Sequence, residues 1–510
     1  MAYKTFAAID VGSRDVTMKI FEITAKKGYR VLDHVSTILE LGSDTYKDGY
    51  ISQESIDRLT DILKGFTKKM KEYDTTEYCA YATSAIREAK NNIMVLDQIK
   101  LRANIHVKIL SNSEHRFLMY KGLAVGADNF DSIVEKNTDI VDMGAGNIQI
   151  SLMNNGKLTA TQSIPIGALR VRERLNSFRI DRKSLERAME ELIGNEIETF
   201  RHYYLGGREI KNVIAIGDEI DRLISLAPEL GISDHLNEQQ LRAIFDKLRS
   251  KNPMDLVMEY NIPYERATLL LPACMIYGIF LNQAKADLIW TPHVDLCDGM
   301  IVEQLEKSKK LSFERNFEDD IRSMVHQIAK RYHCDNIHNY NVVAIACRIF
   351  DRTKKLHGLG KQERLQLEIA AMLHDCGKFI NMMNAGANSY AIIMSTEIMG
   401  ISHEEREEIA NIVKYNSVEL PDYREIRTEL DDTNYIKIAK LTAILKIANA
   451  MDRSHKQKAN SYSITLKEKQ LLITVDTLYD LTLERGLFDD KADFYTKVYG
   501  VRPVIKRKGA

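Results

Sequence analysis

Hydrophobic and polar positions fall into the same cadence twice along the chain. Thr5 to Ile23 reads as an apolar run, Asp10, a polar turn opened by Gly12, and a second run in which Val16, Met18 and Ile20 alternate with polar residues. Thr138 to Met153 repeats it: Ile140 and Val141 lead to Asp142, a Gly144-Ala145-Gly146-Asn147 turn follows, and Ile148, Ile150 and Leu152 alternate with Gln149 and Ser151. A period of two on both sides of a glycine turn predicts strand, tight loop, strand. The two loops lie roughly 130 residues apart, too far for a solenoid and close to one domain's length. A duplicated α/β domain accounts for the repeat and predicts that the loops face each other across a cleft.

Glycine at these turns lets backbone N–H groups approach an anion, and an aspartate at a strand end can hold a metal or orient water. A phosphate chain with a divalent cation fits such a pair of loops; taken singly, either is also a plain hairpin. A dinucleotide fingerprint is excluded, because Gln149 stands where its third glycine belongs and no helical period follows.

Between and beyond the loops the pattern predicts an amphipathic helix over Ser52 to Tyr73 capped by Ser52, strands at Glu77 to Ala82 and His106 to Leu110, and helices over 184–202, 237–249 and 266–282. Thr83 and Ser84 open a helix with Arg87 one turn inside it, which suits either a phosphate or a simple cap. Glu114 lies three residues after Ser111, the capping-box spacing, and is also a candidate general base. Arg170 to Arg174, with Arg179, Arg182 and Lys183, is the densest basic cluster, either lining an access channel for a polyanion or forming a solvated face. A charged linker, Ser308 to Glu318, leads into an all-helical region, and Ser461 to Ala510 alternates like a small α+β cap with a basic tail (Arg502, Lys506, Arg507, Lys508). The expected divisions are 1–125, 126–305, 306–460 and 461–510.

Composition sharpens this only slightly. With a formal net charge of −1, nothing draws the whole molecule to nucleic acid or a membrane, so a polyanion must be met by local clusters. The six cysteines form no C-x-x-C pair, which points to a reducing compartment. No signal-peptide pattern opens the chain, and the longest apolar stretch, Leu269 to Phe280, contains Pro272 and is too short to span a bilayer; a cytoplasmic protein is expected.

Asp10-Val11-Gly12-Ser13, Ala82 to Asn91 (ATSAIREAKN), Ser111 to Gly122, Asp142 to Gln149 and Ile164 to Arg170 occur in the order and spacing of the Ppx/GppA family of exopolyphosphatases and guanosine pentaphosphate phosphohydrolases. The resemblance covers nearly the whole chain, and ATSAIREAKN is its most specific block. It implies α/β lobes of the duplicated actin-like, ribonuclease-H-like kind, closing on inorganic polyphosphate or a guanosine alarmone, with release of terminal phosphate. By resemblance Glu114 is the catalytic base, Arg87 binds phosphate and Asp142 orients metal and water. Gly12, Ser13, Thr83, Ser84, Gly144, Ala145, Gly146 and Asn147 form the phosphate loops. Mg²⁺, or another divalent cation, falls to Asp10, Asp142 and Gln149, and the family analogy implies a homodimer. The helical region resembles an HD-type metal phosphohydrolase domain through His338, His374 and Asp375.

The chain departs from that pattern. Arg14 and Asp15 replace an Asn-Ser pair; Ala145, Asn147, Ile148 and Gln149 alter the second loop; Asp218 and Glu219 stand in a downstream turn; Cys297 replaces an arginine. In the helical region Asn384 to Ser389 replaces a His-rich run, and Asn449 replaces an aspartate for which Asp452 is a possible substitute. These changes predict slowed, altered or lost turnover, and the rival reading is a protein that binds polyphosphate or (p)ppGpp as a regulator. An actin-like kinase or ATPase is a third reading, for which no clear adenosine loop exists.

Overall fold

The computed structural model describes residues 4–24, 28–127, 129–176, 182–286, 288–308, 315–428, 430–459 and 461–508; Arg179 lies outside them, as do the side chains of Arg182 and Lys183. The chain forms two compact units, Met1–Phe317 and Glu318–Ala510.

In the first unit, strands β1 (Lys4–Val11), β2 (Asp15–Thr24), β3 (Gly28–Ile38), β4 (Glu77–Ala82) and β5 (Lys108–Ile109) make a sheet in the order β3-β2-β1-β4-β5. The first three run antiparallel, and β4 and β5 continue parallel to β1. A second sheet uses β6 (Thr138–Met143), β7 (Ile148–Asn154), β8 (Lys157–Ile164), β9 (Asn212–Ile216), β10 (His235–Asn237) and β11 (Leu288–Trp290) in the order β10-β11-β9-β6-β7-β8. Strands β8-β7-β6-β9-β11 repeat the first sheet's order and directions, with β10 added at the edge. The register repeats too. Asp10 lies between Thr17 and Tyr81, and Asp142 between Gln149 and Ile216, so each aspartate occupies the same place in its own sheet.

Helix Gln53–Glu72 begins where Ser52 Oγ accepts the Ser55 N–H at 3.2 Å, and it buries Ile56, Leu59, Leu63, Phe66 and Met70 against the first sheet's core. Helix Tyr264–Ala284 is the core helix of the second lobe, packed on helices Ala168–Asn176, Arg182–Phe200 and Glu238–Arg249. It runs straight through Pro272 and is longer than the apolar stretch suggested, long and apolar enough by composition to cross a membrane, but 67% of its most apolar window is buried in the protein.

The division 126–305 assigns the stretch before residue 305 to the second lobe. Instead, helix Leu296–Lys307 returns to the first lobe and lies along helix Asn112–Gly126. Two glycines allow the approach: a Cβ at Gly299 would stand 2.1 Å from Leu118 O, and one at Gly122 would stand 2.9 Å from Gly299 N. The Cys297 thiol reaches Ala8 O on β1 (3.5 Å), and Lys19 pairs with Asp295 (2.7 Å) and Asp298 (2.9 Å).

The second unit stacks helices Asn336–Arg352, Lys361–Leu373, Ala385–Ser395, His403–Ser417 and Asp432–Ala450. Strands β12 (Ser461–Leu466) and β13 (Gln470–Asp476) form a hairpin, and helix Thr482–Tyr499 crosses to β14 (Arg502–Arg507), parallel to β13. That helix packs on Asp432–Ala450, so this segment belongs to the same compact unit. Two of the tail's four charges are locally matched, Arg502 by Asp493 and Lys508 by Asp476, each at 2.6 Å.

Replacing Gly299 by Ala drives a methyl into the Leu118 carbonyl and should destabilise the protein by about 1–3 kcal/mol. Gly65→Ala, on an exposed helical position with open space, should instead stabilise by about 1 kcal/mol. Urea unfolding measures both; equal effects would mean that the two helices do not meet at Gly299.

Candidate functional site

The two Asp-x-Gly loops bound a cavity of about 550 Å³ between the lobes. Asp10, Gly12, Ser13, Thr83, Ser84, Arg87, Asp142, Gly144, Ala145, Asn147 and Gln149 all line it. Gly12 and Gly144 close equivalent turns, their N–H groups donating to Asp15 O (2.9 Å) and Asn147 O (3.0 Å). The Ser13 and Ser84 hydroxyls are 2.7 Å apart and share the Tyr46 hydroxyl, while Ser13 Oγ also accepts the Ala85 N–H at 3.0 Å. Gly146 is not part of the lining. It leaves room for Tyr46, whose oxygen a Cβ would meet at 2.0 Å, and its carbonyl accepts from Arg170 Nε at 2.5 Å.

Asp10 Oδ1 and Asp142 Oδ2 are buried without a hydrogen-bond partner. Burial, then the charges of Asp295, Asp218, Asp15 and Asp142, hold the Asp10 carboxyl far above its usual range. Burial pushes Asp142 up to about 7, against the pull of Arg116. Two dehydrated carboxylates, each with an oxygen that has no hydrogen-bond partner, suit a hard divalent cation, so Asp10 and Asp142 fit the Mg²⁺ that the family resemblance implies. Gln149 does not. Its Oε1 accepts from Arg116 Nε (3.1 Å) and its Nε2 faces His115 Nδ1 (2.6 Å), so the amide bridges two side chains instead of turning an oxygen to a metal.

Glu114 is placed otherwise than the resemblance implied. Its carboxylate accepts the Ser111 N–H at 2.9 Å, completing a capping box with Ser111 Oγ, and pairs with Lys108 at 3.1 Å; it does not line the cavity. The next residue does. His115 Nδ1 lies 3.7 Å from Asp142 Oδ2, and burial, with Arg87 and Arg116 nearby, lowers its pKa to about 3. Because Gln149 presents its amide N–H to Nδ1, the neutral ring carries its proton on Nε2. The sequence held a signal for this: His115 and Met119, four apart on one helix, both line the cavity, while the capping box claims Glu114.

Arg87 is held by Leu110 O (2.8 Å) and Asn112 Oδ1 (2.6 Å), which fixes its guanidinium at the cavity wall. The departures in the loops answer one another. Arg14 ion-pairs with buried Glu219, donates to Asp15 at 2.7 Å and reaches Asp218 at 3.4 Å, while Arg222 pairs with Asp218 at 2.9 Å. Glu219 is thus neutralised from the first loop, and Asp218 mainly by Arg222 of its own helix. Asp295 and Cys297 also line the cavity, and burial keeps the Cys297 thiol protonated. Arg170 and Arg172 do not line it. Arg170 stacks over Tyr46 (4.2 Å) and pairs with Glu88 (2.7 Å), and Arg172 pairs with Glu40 (2.8 Å), so both tie the lobes together instead of forming an access channel. His338, His374 and Asp375 come together in the second unit, where the His338 and His374 ring centroids are 5.2 Å apart and His374 Nε2 is 3.5 Å from Asp375 Oδ1.

The two buried groups give opposite pH dependence. The raised Asp142 pKa means a contribution complete below its unfolded value of 3.8 and lost as pH rises to about 7; the lowered His115 pKa means one present above 6.5 and lost as pH falls towards about 3. In chelator, Asp142→Asn should therefore make stability rise more steeply between about pH 4.5 and about pH 7, and His115→Gln make it fall, each by at most roughly 4 kcal/mol. Parallel urea-unfolding profiles for wild type and both variants would show that neither group is dehydrated.

The Ppx/GppA phosphatase family model matches residues 19–308, and the model for domain III of Ppx/GppA phosphatases matches 321–492. A guanosine-5'-triphosphate,3'-diphosphate pyrophosphatase of Vibrio parahaemolyticus is 18% identical over 446 residues, covering 87% of this chain and 85% of that protein. A bifunctional 3-dehydroquinate synthase/phosphatase of Fusobacterium nucleatum is 27% identical over 178 residues, 33% of this chain and only 26% of that protein's length. Among solved structures, an exopolyphosphatase of Cytophaga hutchinsonii superposes with a TM-score of 0.54 at 18% identity, covering 61% of this chain and 100% of that one. The Aquifex aeolicus Ppx/GppA family member gives 0.50 at 21%, covering 60% and 99%. The structural likenesses carry the fold alone, and with family models matching 19–308 and 321–492 the chain belongs to the Ppx/GppA phosphatase family.

Proposed function

We propose that the interlobe cleft hydrolyses the terminal phosphoanhydride bond of inorganic polyphosphate or of a guanosine pentaphosphate. The observation that carries this is the pair of unpartnered carboxylates, Asp10 and Asp142, at equivalent strand ends of one cavity that also holds Arg87. Phosphoryl transfer asks mainly for positioning and charge stabilisation. Arg87, held at two points, meets the terminal phosphate; the turns at Gly12 and Gly144 and the hydroxyls of Thr83 and Ser84 close around it. Asp10 and Asp142 would hold Mg²⁺ or another divalent cation, which neutralises phosphate charge when bound. With Glu114 committed to Ser111 and Lys108, Asp142, whose Oδ2 has no hydrogen-bond partner in the cavity, is the carboxylate that takes the proton of the attacking water. His115, protonated on Nε2, adds a hydrogen-bond donor. We read the second unit as an HD-like helical domain closed by the β12–β14 segment, supported by the domain III match.

The regulator reading draws on Gln149, turned to Arg116 and His115, and on the Arg14–Glu219 pair inside the cleft. Phosphate release from long-chain polyphosphate and from guanosine pentaphosphate, with Mg²⁺, separates the two. Wild type should release phosphate, Asp142→Asn should lose at least about a hundredfold, and Glu114→Gln should stay within a few-fold. A Glu114→Gln loss as large as that of Asp142→Asn would return the base to Glu114, and tight binding without release by wild type would select the regulator.

A further inference from the structure

Helix Leu41–Asp48 carries Tyr46 to the seam between the two loops, although its side chain does not line the cavity. Two glycines, one from each lobe, make the slot that it fills. A Cβ at Gly42 would stand 2.7 Å from Tyr46 Cε2, and one at Gly146 would collide with the phenol oxygen. Arg170 covers the ring from the second lobe, and its Nε holds the Gly146 carbonyl. A ring clamped on these sides has its hydroxyl fixed, and that hydroxyl touches both Ser13 and Ser84.

The three hydroxyl oxygens form a closed triangle, with sides of 2.8 Å from Tyr46 to Ser13, 2.7 Å from Ser13 to Ser84 and 3.0 Å from Ser84 to Tyr46. Proton counting gives the triangle a direction, because a hydroxyl oxygen accepts at most two hydrogen bonds and donates one. Ser13 Oγ accepts the Ala85 N–H at 3.0 Å and the Tyr46 O–H, so its own proton goes to Ser84 Oγ. The Ser84 proton is then left between the Tyr46 oxygen, across the longest side, and the cavity that Ser84 lines. A phosphate oxygen in the cavity is the better acceptor, since hydrogen bonds to ionised groups are the shorter and stronger ones. Without the phenol, Ser84 is free to turn its proton onto Ser13 instead, away from any ligand.

We propose that Tyr46 is a positioning residue whose hydroxyl, by donating to Ser13, aims the Ser84 O–H at the bound phosphate, and that Ser13 donates to Ser84 and not to the ligand. The resemblance counts both serines among the phosphate loops, and the direction of the triangle separates their roles. The inference rests on the reading that the cleft receives a terminal phosphate, and not on its hydrolysis. It also joins the lobes, because the phenol that directs a first-lobe hydroxyl is held in place by Gly146 and Arg170 of the second.

Full-length protein would be titrated calorimetrically with methylenediphosphonate in Mg²⁺, a ligand whose carbon bridge resists hydrolysis. Ser84→Ala should weaken binding at least about tenfold, since it removes a hydrogen bond to an ionised group. Tyr46→Phe, which keeps the ring in its slot, should weaken it roughly three- to tenfold, and by less than about twofold when Ser84 is already Ala. Ser13→Ala should cost less than Ser84→Ala. The phosphorus NMR shift of the bound ligand should move from its wild-type value in Tyr46→Phe, a readout that packing away from the ligand does not change and that holds even if Ser84→Ala fails to fold. Equal losses from Tyr46→Phe with and without Ser84, a wild-type phosphorus shift in Tyr46→Phe, or a Ser13→Ala loss as large as that of Ser84→Ala would overturn the assignment. The same coupling in a wild type that binds the ligand but releases no phosphate from polyphosphate or guanosine pentaphosphate would support Tyr46 and remove the hydrolase, whereas no binding by wild type would overturn both.

Discussion

Two carboxylates that cannot both be charged without help set the terms for the first unit. Asp10 and Asp142 end central strands at equivalent registers, and the duplicated topology points them into one dehydrated space. Around them the charges are sorted into pairs: Arg14 with Glu219 and Asp15, Arg222 with Asp218, Lys19 with Asp295. What remains is a pair of buried carboxyl groups at the meeting of the loops, which a bound cation would let ionise together.

The Arg14–Glu219 pair shows why the loop changes have to be read together. A buried ion pair gains little net stability over apolar packing, but removing one partner strands the other's charge. Arginine in the first loop is therefore tolerable because an acid stands opposite in the second lobe, and the acid is tolerable for the same reason. With Arg170 to Glu88 and Arg172 to Glu40 on the lobe surfaces, the lobes are joined by charge at separate points, so relative motion of the lobes must break or carry these contacts.

Local pattern carried much of this into the sequence. The period-two runs flanking Asp10 and Asp142 gave the strands, and Ser52 gave a helix start, because these depend on neighbours a few residues away. What depends on orientation or on distant partners stayed hidden. Glu114 and His115 are adjacent, and only the capping geometry says which one turns inward. Gln149 reads as a weakened ligand until Arg116 and His115 are seen on its two ends. Arg170 and Arg172 look like a basic channel because their acidic partners are 82 and 132 residues away.

The return of helix Leu296–Lys307 to the first lobe bears on how the protein is made. Strand β1 keeps a contact, Ala8 with Cys297, whose other half lies 289 residues downstream. Vectorial synthesis can therefore finish the second lobe's sheet before the first lobe has its last helix, and until then the glycine face of Asn112–Gly126 has nothing to pack on. The long loop closure places this step among the slow ones of folding, and gives a nascent chain an interval in which an apolar helix face stands open to chaperones.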